Sequence, residues 1–251
     1  MATLVTFHAH PDDECITCGG AMRKAYEDGH RVVLVVATRG ELGEVPESLD
    51  EPLWQLRVRE TLASAEILGA SRVEFLGYTD SGMMGDATND MPGTFWTAPV
   101  EEAAQRLAAI LTEENADVLT IYDDHGTYGH PDHIQVHRVG KRAAEIAGTA
   151  RVYQHTANRT QAQAAEDAPP VVKDPNFGTP EEELTARVDV SEFAGYKRRA
   201  MRAHASQISE DSYFLAIPDE MFELAFGIEW YIRDGQGPGI TETDLMAGLQ
   251  V

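Results

Sequence analysis

Arg31 to Thr38 reads Arg-Val-Val-Leu-Val-Val-Ala-Thr, an apolar run without alternation between polar and apolar positions. A strand wet on one face alternates, whereas a strand covered on both faces does not. The run therefore predicts a strand inside a parallel sheet. Leu4 to His8, Arg72 to Leu76, Asp117 to Tyr122 and Arg151 to His155 read as further strands. Helices are expected over Glu14 to Asp28, from Pro52 to about Leu68, over Val100 to Asn115, and after His133 to about Ala147. Gly29 and Gly69 stop the first two. Parallel neighbours need crossover connections, so this alternation predicts a doubly wound α/β fold with a mostly parallel sheet over residues 1–155.

Beyond that point the pattern weakens. Residues 160–180, rich in Ala, Pro and acidic side chains, read as a flexible or extended excursion. A strand is expected over Ala186 to Val190, a helix over Ser191 to Ser206, and a strand-like stretch over Phe222 to Ile232. The expected organisation is a core over 1–155 and a smaller C-terminal α+β extension over 156–251, packed on the core within the same domain. Gly77 to Pro99 has no clear period and reads as a long loop of the kind kept for binding.

The formal net charge is −22, from 42 acidic against 20 basic residues. Nucleic acid and anionic membranes need a basic surface, so both are disfavoured as partners. No apolar run approaches bilayer length, and the start, Met1 to Phe7, has no basic leader; the expected location is the cytoplasm. The loop after the first strand lacks Gly-x-Gly-x-x-Gly, and neither a phosphate-binding Gly-x-x-x-x-Gly-Lys-Ser/Thr nor a Gly-x-Ser-x-Gly nucleophile elbow occurs. Cys15 and Cys18 form a Cys-x-x-Cys pair, which raises a redox reading. Asp12, Asp13 and Glu14 beside it disfavour a thiolate, and the preferred reading is two small side chains in the first turns of a helix.

Two polar loops remain. His8-Ala9-His10-Pro11-Asp12-Asp13-Glu14 follows the first strand, and Asp123 to His133, with His125, His130 and His133, follows the fourth. In a sheet ordered 3-2-1-4-5 these strands are neighbours at the point where the winding reverses, and ligands bind at their carboxyl ends. The loops are thus expected to face each other. His10, Asp13 and His133 supply two imidazoles and a carboxylate, the kind of set that holds a catalytic Zn2+ with one position open. Asp12 is then the candidate general base, and His130 the group that stabilises an oxyanion and protonates the leaving amine. Asp132 is placed to orient an imidazole from behind. Such a set also accepts Fe2+, and the metal in the cell is left open. His133 and His137 stand four apart on one helix, but His-Ile-Gln-Val-His lacks the glutamate of a metalloprotease.

At these loops the chain resembles the PIG-L/LmbE-like de-N-acetylases, whose Ala-His-Pro-Asp-Asp-Glu signature stands at Ala9 to Glu14 and whose His-Pro-Asp-His signature stands at His130 to His133. The resemblance covers roughly residues 1–155, with a looser echo at Phe226-Gly227-Ile228-Glu229. It implies a Rossmann-like fold and zinc-dependent hydrolysis of N-acetyl groups on glucosamine conjugates. It also implies His10, Asp13 and His133 as ligands, Asp12 as base, His130 as acid or oxyanion stabiliser, and Tyr128 as a mobile group that meets the tetrahedral intermediate. Similarity to the mycothiol branch, carried by Gly77 to Met83 and by Arg57 in an Arg-x-x-Glu helix, implies Asp80 as a sugar-hydroxyl group and Arg57 as a contact to the aglycone. A surface salt bridge is an equal reading of Arg57.

The expected partner is therefore a small-molecule amino-sugar conjugate. Alternatives are amidase action on a mycothiol-type S-conjugate or another acylated amine, and a non-catalytic sugar-conjugate binding module. The acyl group, the aglycone and the oligomeric state are not set by these residues.

Overall fold

The computed structural model describes residues 1–164 and 169–250. In chain order the elements are β1 (Thr3–His8), α1 (Asp13–Thr17), α2 (Gly19–Glu27), β2 (Arg31–Val36), α3 (Leu53–Leu68), β3 (Arg72–Phe75), α4 (Val100–Glu113), β4 (Val118–Tyr122), α5 (Gly126–Gly129), α6 (Pro131–Ala147), β5 (Arg151–Thr156), α7 (Arg159–Ala164), β6 (Ala186–Asp189), α8 (Ala194–Ala203), α9 (Asp219–Phe226) and β7 (Ile228–Arg233). The strands form one sheet in the order β3-β2-β1-β4-β5-β7-β6. Pairings among β1 to β5 are parallel, while β7 runs antiparallel to both β5 and β6. The fold is thus the expected α/β arrangement, with the C-terminal strands continuing the same sheet.

Strand alternation divides the core in two. Leu4, Val32, Leu34, Val36 and Val118 share one apolar cluster with residues of α1, α2, α3, α8 and α9. Val5, Phe7, Val33, Val35, Leu119 and Ile121 share the other with residues of α4 and α6. Both faces of the Arg31–Val36 strand are therefore dry, which is why its sequence does not alternate. Helix α6 lies tight on β4: a Cβ at Gly140 would fall 2.3 Å from Ile121 Cγ2. That close approach anchors the helix whose first turn carries His130 and His133.

Three local expectations need correction. The helix expected over Glu14 to Asp28 is broken at Cys18, whose φ of −133° and ψ of 18° are not helical, so α1 and α2 are separate. The strand expected over Phe222 to Ile232 is two elements: α9, opened by Pro218 and the acidic Asp219 and Glu220, and then β7. Aromatic density there had masked a helical spacing that buries Phe222. The excursion expected over 160–180 partly falls on 165–168, outside the described residues; before it the chain is helical through Ala164. Among the described residues no helix is long and apolar enough to cross a membrane.

Candidate active site

After β1 the chain turns sharply before α1. Asp12 at that turn has φ 93° and ψ −28°, a left-handed conformation that costs a non-glycine residue about 1–3 kcal/mol. The turn is held by side chains as well as backbone: His10 N–H donates to Asp13 Oδ2 (2.9 Å) and Asp12 N–H to Glu14 Oε2 (3.0 Å). The Asp12 carboxylate accepts from Arg57 Nη2 at 3.1 Å. Burial pushes this carboxyl up and Asp13 adds to the push, while Arg57 opposes it; the outcome is about 6.

Arg57 is no surface ion pair. It is 4% exposed, and its terminal nitrogens donate to Gly40 O (2.9 Å), Pro11 O (2.6 Å) and Asp12. Gly40, at φ 66°, leaves the guanidinium its room: a Cβ there would stand 2.1 Å from Nη1. Contact with an aglycone would have to share these donors or use the buried Nε, which has no hydrogen-bond partner among the described residues.

The loop after β4 is organised by helix capping. His130 is the N-cap of α6, with Nδ1 accepting from Asp132 N–H (3.1 Å), and Pro131 fills the first helical position. An imidazole whose Nδ1 accepts carries its proton on Nε2, so His130 presents an N–H outward. Burial and the neighbouring His10 lower it to about 4, and burial lowers His133 to about 3, so both rings are neutral near pH 7. Tyr128, 38% exposed, sits at the rim with its ring centroid 5.0 Å from that of His133.

The two loops meet as the topology requires. Asp13 Oδ2 lies 3.5 Å from His10 Nδ1 and 3.5 Å from His133 Nε2. Behind His10, Nε2 faces Asp132 Oδ2 at 3.1 Å and Asp80 Oδ1 at 3.5 Å. Burial alone would lower His10, but Asp80, Asp13 and Asp132 outweigh it and raise it well above the ordinary histidine range. Asp80 is held low against its own burial by His10 and by Gly82 N–H. Asp132 is in turn fixed by Ser81, whose N–H donates to Oδ2 (2.9 Å) and whose hydroxyl donates to Oδ1.

Whether a divalent ion suits this place is a question of donors. Among the described residues both ring nitrogens of His133 are buried without a hydrogen-bond partner, a costly state unless something takes a lone pair. Three carboxylates crowd His10, so the surroundings favour positive charge. Separations of 3.5 Å are near the roughly 3.4 Å between two ligands of a tetrahedral zinc. His10, His130 and His133 also place nitrogens within 4.8 Å of one another. In the tautomer set by its cap, however, His130 has no free lone pair, which favours Asp13 as the third donor. The residues fit the metal.

Sequence reading overlooked two groups. Ser81 stands within the Gly77 to Met83 stretch, and only its folding against Asp132 reveals it. His204, which stands in no recognisable motif, has Nε2 2.6 Å from Glu14 Oε1. The cysteines are free and buried, with both thiols pushed up by burial first and by neighbouring carboxylates second. Cys15 Sγ donates to Asp12 O (2.9 Å), and Cys18 Sγ lies 3.2 Å from His8 Nε2.

Residues 5–144 match the family model described as PIG-L: GlcNAc-PI de-N-acetylase. The chain belongs to that family. A 1D-myo-inositol 2-acetamido-2-deoxy-alpha-D-glucopyranoside deacetylase from Streptomyces griseus is 39% identical, with 98% of this chain and 88% of the relative covered. Among solved structures, the N,N'-diacetylchitobiose deacetylase of Pyrococcus horikoshii aligns with TM-score 0.61 at 22% identity, covering 92% of this chain and 83% of that one. A 4-carboxy-2-hydroxymuconate hydratase from Pseudomonas putida aligns with TM-score 0.59 at 20% identity, covering 97% and 99%. Deacetylases and a hydratase share this architecture, so chemistry must be argued from the site of this PIG-L family member and not from its fold.

Proposed function

We propose that this protein is a zinc-dependent deacetylase that hydrolyses the N-acetyl group of a glucosaminyl-inositol conjugate. The observation that carries the reading is Asp13 Oδ2 at 3.5 Å from an imidazole nitrogen of each loop, with Asp12 next in the chain. The names of curated relatives that are 38–39% identical support the substrate class. His10, Asp13 and His133 would hold Zn2+ (or Fe2+). A divalent ion there supplies Lewis acidity toward the amide carbonyl and toward water.

Amide hydrolysis needs a proton taken from the attacking water, charge stabilised on the carbonyl oxygen, and a proton given to the departing amine. Asp12, raised toward neutrality, takes the proton from water and then returns it to the nitrogen as the C–N bond breaks. His130 donates its Nε2–H to the developing oxyanion. A neutral imidazole cannot give up that proton without becoming an anion, so the oxyanion role suits it better than the acid role. Tyr128, from the rim, adds a second donor to the same oxygen. Asp132 keeps His10 oriented through Nε2, leaving Nδ1 on the side of Asp13. Asp80 accepts from sugar hydroxyls, and Arg57 both steadies Asp12 and reaches the polar part of the aglycone.

The test pairs metal analysis with free-amine release from a panel of acetylated conjugates: N-acetylglucosaminyl-inositol, its mycothiol-type S-conjugates and simple N-acetylglucosamine. About one zinc per chain and release of acetate and amine from the inositol conjugate are expected. A chain purified without chelator that carries no metal and releases no amine sinks the proposal; preference for S-conjugates would reassign the substrate.

A further inference from the structure

Beneath Asp12 lies a polar cluster that the hydrolytic steps do not use. Glu14 and His204 are both 0% exposed, and His204 Nε2 meets Glu14 Oε1 at 2.6 Å. Ser64 Oγ donates to the same oxygen at 2.5 Å. The other carboxylate oxygen, Oε2, accepts the N–H of Asp12, the residue in the left-handed conformation. A buried carboxylate–imidazole pair is weak evidence for stability, because desolvation offsets most of its attraction. What the pair does accomplish is directional. With Oε1 fastened by His204 and Ser64, Oε2 has one place to point, and that place is the backbone of Asp12.

Helix α3 supplies the rest of the frame from one face. Arg57 grips the Asp12 carboxylate, and Ser64 grips Glu14. Between them Glu60 accepts from Ser206 N–H (2.8 Å) and Ser206 Oγ (2.6 Å), which fixes the turn just after His204. The spacing of 57, 60 and 64 is that of a single helix face. The donor atoms of Glu14, Cys15 and His204 lie within 4.8 Å of one another, but they are not a second metal site in waiting. Cys15 Sγ donates to Asp12 O (2.9 Å), and Glu14 Oε1 is engaged twice.

We propose that Glu14 and His204 are positioning residues: the C-terminal part of the chain, through His204, holds Glu14 so that Asp12 stays in its strained, catalytically aimed conformation. This rests on the reading of Asp12 as general base, and the test separates the two. Misplacing a catalytic group by about 1 Å can cost on the order of 10²-fold in rate. His204→Leu is therefore expected to lower kcat about 10- to 100-fold toward N-acetylglucosaminyl-inositol, with KM and zinc content near wild type. His204→Gln, whose amide can still donate to Glu14, should recover most of that loss.

In an Asp12→Ala background, His204→Leu should cost nothing further, because the group it positions is gone. An equal loss in both backgrounds would overturn the proposal, as would wild-type kcat in a folded, zinc-loaded His204→Leu protein. Should that variant fail to fold, Ser64→Ala removes a donor from the same oxygen at little steric cost. A several-fold fall in kcat is expected from it, and an unchanged kcat with Asp12→Ala inactive overturns the positioning role alone. Full activity in Asp12→Ala would instead remove the base assignment beneath it.

Discussion

Asp12 in the loop after β1 and His130 and His133 in the loop after β4 are all largely withdrawn from solvent, yet burial acts on the two loops in opposite senses. In the first, it lifts the Asp12 carboxyl to about 6; in the second, it lowers His130 to about 4 and His133 to about 3. Low dielectric favours whichever form is uncharged, so acids climb and imidazoles fall. The contrast within the first loop is as instructive. Asp13 is buried too, but His133 and His10 pull it well below the usual carboxylate range. Adjacent aspartates thus come to differ: one stays charged between two imidazoles, and the other is left ready to take a proton. The loop after β4 supplies neutral nitrogens that can offer a lone pair or an N–H.

The sharpest way to break this division is at a shared point. His133→Ala is expected to abolish both zinc binding and amine release, since it removes an orphaned nitrogen facing Asp13; a metal titration and a turnover assay on the same sample check it. Next in size is Asp12→Ala, expected to cost about 10²–10⁴-fold in kcat while zinc content stays at the wild-type level. Equal metal loss in both variants would erase the distinction between the two aspartates.

His130→Ala follows, with a fall of about 10²–10³-fold in kcat and little change in zinc affinity. If zinc affinity falls with it, His130 is a ligand and the lone-pair argument from its helix cap fails. Smaller still is Arg57→Met. Arg57 lowers the Asp12 carboxyl, so its loss raises that group further. The base must be ionised to act; activity is therefore lost on the acid side, and the acid limb of kcat/KM should move to higher pH. A pH–rate profile that stays in place, or moves down, separates Arg57 from Asp12.

Much of this was legible beforehand because two signals coincided. Arg31–Val36 and its neighbours show their burial in their composition, and the two histidine-bearing loops follow strands that the winding rule makes adjacent. Other features had no local trace. The pairing of Glu14 with His204 spans 190 residues and involves one histidine with no motif around it. Arg57 looked like any helix-surface arginine, because the carbonyls of Pro11 and Gly40 that turn it inward have no side-chain signature. The break at Cys18, by contrast, has a local trace: Thr17, Cys18, Gly19 and Gly20 are all weak helix formers.

The left-handed backbone of Asp12 carries a consequence for anyone selecting heat-tolerant variants of this protein. Glycine adopts that conformation freely, and removing a buried carboxylate also removes a charge that the folded state holds at a cost near neutral pH. Asp12→Gly should therefore melt higher than wild type, by roughly 2–4 °C for a gain of about 1 kcal/mol, while releasing amine about 10²–10⁴-fold more slowly. A lower melting temperature would show that the grip of Arg57 on Asp12 outweighs the strain. On the expected outcome, a screen that rewards survival without rewarding turnover would drift toward losing the base first.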